Sequence, residues 1–310
     1  MSSQSSHPFA PLARPDAGWS FTLVPAAGEG GGSFRTSLRR KPAYVARGQA
    51  SDPERAAAEA ARRARTRLRR YCAANVLNRL GTLTYRGEGN HDPALIRDHL
   101  GLFFRDLRGR LGGDAFPYAW VPEWHKSGHG LHAHFAVGRF IKRSMIEAAW
   151  PHGFISIKLM GNLPVGSTPL SEARIAGGYL AKYVAKTFAD PVARDLGAHR
   201  YDVAEGFQPD RLRFTGTSRE DVLAQASAHL SASPHSVWDS AESEDWQGPP
   251  TVWAQWGGDD AHGSGGAGCV GGAVVCSSGR SGARAGSRST HPCEGAGSAP
   301  APDHYSTHTG

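Results

Sequence analysis

The chain has 310 residues, 39% of them hydrophobic, and a net charge of +7. No apolar stretch is long enough to span a bilayer, and the opening residues 1–16 lack the apolar centre of a secretion signal, so the expected setting is a reducing cytoplasm, with no membrane partner. Cysteine usage points the same way: Cys72 stands alone, and the spacing of Cys269, Cys276 and Cys293 matches neither a zinc nor a disulfide pattern.

Both ends read as poorly foldable. Residues 1–34 include "AAGEGGGS" at 26–33, and 14 of the 54 residues in 257–310 are glycine. Such composition buries too little apolar surface to offset its ordering entropy, so disorder is expected for 1–34 and 257–310. Charge concentrates just inside the first boundary. Residues 35–70 hold twelve Arg or Lys against three Asp or Glu, a surplus of nine that exceeds the charge of the whole chain. "ERAAAEAARRARTRLRR" (54–70) predicts a helix, with Asp52-Pro53 as its start. So basic a helix is either a solvated face or a phosphate-binding element, and Arg62, Arg65 and Arg69 are its candidate DNA contacts.

The middle of the chain alternates strands and helices. "GTLTY" (81–85) predicts a strand, and "DPALIRDHLGLFFRDLRGRL" (92–111) a helix with Asp92 as cap and Pro93 as first residue. "PYAWVPEW" (117–124) predicts a strand, which Pro122 marks as an edge or a bulge. "LHAHFAV" (131–137) is the next strand, 143–150 a short helix, 153–159 a strand and 171–188 a helix. This order predicts an α+β fold: an open antiparallel sheet with helices packed on one face.

In 131–137, Leu131, Ala133, Phe135 and Val137 alternate with His132, His134 and Ala136. Period-two alternation puts the odd residues on a core and both imidazoles on the opposite, open face. Glu123 and His125 share one face of the preceding strand and would meet the histidine pair across a hairpin. His132, His134 and Glu123 then form a three-ligand platform with open positions, as metal-assisted phosphate chemistry requires. Two surface histidines beside a surface acid remain the plain alternative.

The helix 171–188 carries "YLAKYVAK" at 179–186. At about 100° per residue, Ala176, Leu180, Val184 and Phe188 form a buried stripe. Tyr179, Lys182, Tyr183 and Lys186 fall on one arc away from it.

"HAHF" (132–135) followed by "YLAKYVAK" (179–186), with "TLTY" (82–85) upstream, resembles the HUH endonucleases, and within them the rolling-circle replication initiators of plasmids and phages with two tyrosines four apart. The resemblance covers about 55–215, and "HRYDVAEGFQPDRLRF" (199–214) is similar to actinobacterial plasmid initiators. It implies an HUH nuclease domain over 35–225. His132 and His134 would bind Mg²⁺ or Mn²⁺, with a third ligand from Glu123, His125 or His129. A tyrosine would attack the scissile phosphate of single-stranded origin DNA, leaving a 5′-phosphotyrosine and a free 3′-OH. Tyr183 is favoured as initiator and Tyr179 as its partner, with Lys182 and Lys186 stabilising the developing charge. No Walker-type phosphate loop occurs in the sequence, so a host helicase and a DNA polymerase would be partners. The acidic, Trp-containing stretch 226–256 is either a small subdomain or a docking strip. A non-catalytic nucleic-acid-binding protein on the same fold is the competing reading.

Overall fold

A computed structural model describes residues 17–36, 45–46, 49–158, 167–189 and 200–257, with the side chains of 187–189 excepted. Phe188, Leu159 and the tail cysteines fall outside what is described, as do 1–16 and 258–310. The fold is α+β, with two five-stranded antiparallel sheets and five helices among the described residues.

In chain order the strands are β1 (Gly18–Val24), β2 (Glu29–Arg35), β3 (Arg79–Tyr85), β4 (Tyr118–Trp124), β5 (Leu131–Val137), β6 (Gly153–Lys158), β7 (Asp202–Val203), β8 (Leu212–Gly216), β9 (Ser236–Asp239) and β10 (Thr251–Gln255). The helices are α1 (Pro53–Ala74), α2 (Pro93–Arg110), α3 (Arg143–Ala149), α4 (Pro169–Ala189) and α5 (Arg219–Leu230). Each predicted element of the middle region is present. Asp52 and Asp92 cap α1 and α2 by accepting backbone N–H bonds from Arg55 and Ala94, with proline in the first turn of each helix.

The central sheet has the order β6-β3-β5-β4-β7. One face buries Leu83, Leu131, Ala133 and Phe135 against Ile96, Leu100 and Phe103 of α2 and Ile146 of α3. Pro122 is tolerated because β7 pairs with β4 only at Ala119 and Trp120, which leaves the proline on an unpaired edge.

Helices cover both faces, where one covered face was expected. Leu80, Ala119, Val121 and Ala136 lie on the histidine face and pack against Leu68 and Cys72 of α1 and Ala176, Leu180 and Val184 of α4. These apolar residues occupy the end of the face away from the histidines and need a cover. β5 is therefore buried along its whole length, not half-buried. The two helices approach closely at Gly177, where a Cβ would lie 3.0 Å from Cβ of Cys72.

The second sheet, β8-β1-β2-β10-β9, corrects two expectations. The segment expected to be disordered, 1–34, supplies β1 and most of β2 from Gly18 onward. Its glycines make room for a ring: a Cβ on Gly30 would lie 2.3 Å from Phe21 Cε1. Nor is there a break at 225/226. α5 runs through it, and β9 and β10 complete the sheet beside β2. Phe21, Leu23, Val222, Ala226, Val252, Ala254 and Trp256 form one core.

Two polar joints fasten this sheet to the helices. Arg174 of α4 donates to the carbonyl oxygens of Ala27, Gly28, Trp256 and Gly257 at 2.6–3.0 Å. The buried carboxylate of Glu29 pairs with Arg70 at 2.8 Å and Arg69 at 3.4 Å. Among the described residues no helix is long and apolar enough to cross a membrane.

Candidate metal centre and tyrosine pair

Strand register assembles the centre. Glu123 of β4 and Thr84 of β3 lie directly opposite His132, and Val121 and Thr82 lie opposite His134. Directly paired residues share a face. Glu123 Oε2 is 3.2 Å from His132 Nε2 and 2.8 Å from His134 Nε2, and the two Nε2 atoms are 3.1 Å apart. Both histidines are buried. Among the described residues Glu123, His132 and His134 form the one group of three able to hold a metal ion, with all ligand atoms within 4.8 Å of one another.

The electrostatics suit a cation. Burial pushes His134 down to about 4, and its hydrogen bond to Glu123 offsets this only in part. Burial likewise holds His132 below the usual histidine range. Both imidazoles are therefore neutral near pH 7, the state in which a ring nitrogen can ligate. Burial opposes ionisation of Glu123, but hydrogen bonds from Lys186 and His134 outweigh it and hold the carboxyl below its ordinary value. Lys186 Nζ lies 2.6 Å from Glu123 Oε1. Thr82 Oγ1 is hydrogen-bonded to His134 Nδ1 at 2.9 Å, which fixes the ring with Nε2 facing the centre. Two neutral imidazoles and one carboxylate, converging and buried, fit a divalent metal. Mn²⁺ suits the nitrogen donors on intrinsic affinity, and Mg²⁺ would lean on substrate oxygens.

α4 brings the tyrosines to this centre. The Tyr183 ring stacks on His134 with centroids 3.9 Å apart and planes 20° apart, while Tyr179 meets His134 edge-on at 6.0 Å. Tyr183 O–H donates to Tyr179 Oη at 2.6 Å. Lys186 Nζ lies 4.8 Å from the Tyr183 ring centre. Burial, then the Tyr179 bond and the Glu123 charge, raise the Tyr183 pKa. The protein groups alone thus keep this phenol protonated.

Other candidates fall outside the cluster. Lys182 is exposed on α4. His125 is hydrogen-bonded to Ser127 Oγ, and His129 Nε2 to the Tyr85 carbonyl, so neither joins the ligand set. Arg62 and Arg65 are exposed, Arg62 against Glu59 at 2.8 Å, whereas Arg69 is half-buried at the Glu29 joint.

Two neighbours escaped the sequence reading. Thr82 had a signal, since Thr82 and Thr84 alternate on β3 as the histidines do on β5. Lys158, whose Nζ lies 3.9 Å from the Tyr179 ring centre, comes from β6 and had none.

No curated protein and no solved structure matches the chain. A family model does match. The stretch from residue 78 to residue 188, a little over a third of the chain, is similar to the replication-associated protein family of ORF2 and gene II protein, and it holds the whole His–His–Glu centre and both tyrosines, while α1 and the second sheet lie outside it.

Proposed function

We propose that this protein initiates rolling-circle replication by nicking single-stranded origin DNA. The observation that carries the reading is the contact of a tyrosine pair with a three-ligand centre: Tyr183 stacks on His134, and Tyr179 bonds to Tyr183. The family match supports a role in replication. His132, His134 and Glu123 would hold a divalent metal, which when bound polarises the scissile phosphate and favours the phenolate.

The protein's own groups divide the remaining work. Tyr183 Oη attacks phosphorus, an O–P bond to tyrosine forms, and the bond from phosphorus to the 3′ oxygen breaks. The phenol proton is released, and the departing 3′ oxygen takes up a proton to become the free 3′-OH. Tyr179 accepts the Tyr183 hydrogen bond and so orients the attacking oxygen. Lys186 balances the Glu123 charge that otherwise disfavours a phenolate. Tyr179, one helical turn away, is placed for the second transfer that closes the circle. The 3′-OH would be extended by a host polymerase, with a host helicase opening the duplex.

The test is covalent capture. With Mn²⁺ and its single-stranded origin, wild type forms a phosphotyrosine adduct that mass spectrometry maps to 179–183. Tyr183→Phe abolishes the first adduct, while Tyr179→Phe forms it but fails to resolve it. The reverse pattern swaps the roles. Absence of any wild-type adduct overturns the reading in favour of a DNA-binding module without chemistry.

A further inference from the structure

The histidine face is only half covered. The core beneath α1 and α4 takes Leu80 from β3, Ala119 and Val121 from β4 and Ala136 from β5, and nothing from β6. β6 is an edge strand, and its register continues the rows of the metal centre. Glu123, His132, Thr84 and Phe154 lie side by side across β4, β5, β3 and β6. Val121, His134, Thr82 and Ser156 form the next row, and Leu80 pairs with Lys158 in a third.

Phe154 is the exception among large apolar residues near the centre: 68% of it is exposed. Ile155, the next residue, is buried on the opposite face, so β6 is held in place without the Phe154 ring. Ser156 and Lys158 are exposed beside it. Thr82, Thr84, Phe154, Ser156 and Lys158 carry no carboxylate, and Lys158 contributes a cation that also touches the Tyr179 ring. With strands about 4.8 Å apart, Phe154 stands roughly 10 Å from His132 in the same row.

We infer that this β3–β6 strip is a track for the single-stranded DNA flanking the scissile phosphate, with Phe154 as the platform for an unpaired base and Lys158 beside the backbone. An aromatic ring standing on an open sheet among hydroxyls and a cation is the composition that holds single strands, because every base has a face to stack. A protein pairing with the β6 edge would leave the Phe154 ring without this function. The inference rests on the preceding reading for its scissile phosphate, but its binding test does not depend on cleavage.

The experiment uses the full chain in EDTA, a fluorescent oligothymidine longer than the roughly 16 nucleotides that one such platform covers, and a duplex of equal length. Phe154→Ala should weaken single-strand binding by about 5- to 150-fold, the equivalent of one stacked base, with unchanged duplex affinity and melting temperature. Phe154→Trp should restore single-strand binding, and the added indole fluorescence should be quenched by the oligothymidine. Unchanged single-strand affinity in Phe154→Ala overturns the track, as does an equal loss on duplex. Adduct formation scored on the same preparations separates the two readings. A wild-type adduct with Phe154-independent binding sinks the track alone. Phe154-dependent binding without any wild-type adduct sinks the nicking reaction and leaves the track.

Discussion

Replacing Glu123 with Gln separates the metal centre from a simple buried polar cluster. In the metal-free protein the cost is small. The Lys186 side chain is 53% exposed, so its pair with Glu123 contributes about 1 kcal/mol or less, and an amide oxygen still accepts from His134. With metal the two proteins diverge. At a concentration 100 times the dissociation constant, a ligand that binds only the folded state stabilises it by about 2.7 kcal/mol. For a domain of this size that is a rise in melting temperature of roughly 5–11 °C. Glu123 supplies one of three ligands, so its loss should weaken binding at least as much as loss of an outer hydrogen-bond partner does, about 10- to 100-fold. A hundredfold loss leaves about 0.4 kcal/mol at the same Mn²⁺ concentration, or about 1 °C. Differential scanning fluorimetry with and without Mn²⁺ reads both numbers. Equal Mn²⁺-induced shifts in wild type and Glu123→Gln, or no shift in wild type, would refute the ligand assignment.

Two further outcomes are expected. Arg62→Gln with Arg65→Gln should flatten the slope of log affinity against log salt on duplex DNA by about 0.9 for each phosphate no longer neutralised, whereas Arg69→Gln should chiefly lower stability by weakening the pairing of the buried Glu29 carboxylate; an unchanged slope returns α1 to a solvated face. His152 stacks on His99 at 3.7 Å, and burial, with His99 and Arg86 nearby, lowers its pKa below 6.5. The unfolded chain therefore binds a proton that the native state refuses, so stability falls as pH drops from 6.5 toward the lowered value. In urea titrations His152→Gln should lose less stability over that interval than wild type; parallel losses would contradict the shift.

Local chemistry already determined much of this protein. Period-two alternation placed His132 and His134 on one face of β5, and a register set by the short turn brought Glu123 to them. Helical spacing put Tyr179, Tyr183 and Lys186 on one arc of α4, and Asp-Pro pairs marked the starts of α1 and α2. These signals survive without a tertiary context because each arises from backbone geometry over a few residues. The choice of Glu123 over His125 and His129 did not, since it depends on where Ser127 and the Tyr85 carbonyl capture the competitors.

The second sheet was decided only in three dimensions. Gly30–Gly32 have the composition of a linker, and they become a strand because Phe21 fills the space that their missing side chains leave. Arg69 reads as a DNA contact until Glu29, forty residues away in sequence, closes on it. Whether the histidine face is open or covered was likewise invisible from any one strand. α1 and α4 bury its apolar end, and β6 leaves Phe154 standing beyond their reach. Periodicity reports which side of an element is apolar, but the identity of the neighbour on that side is a property of long-range pairing, and only the folded chain supplies it.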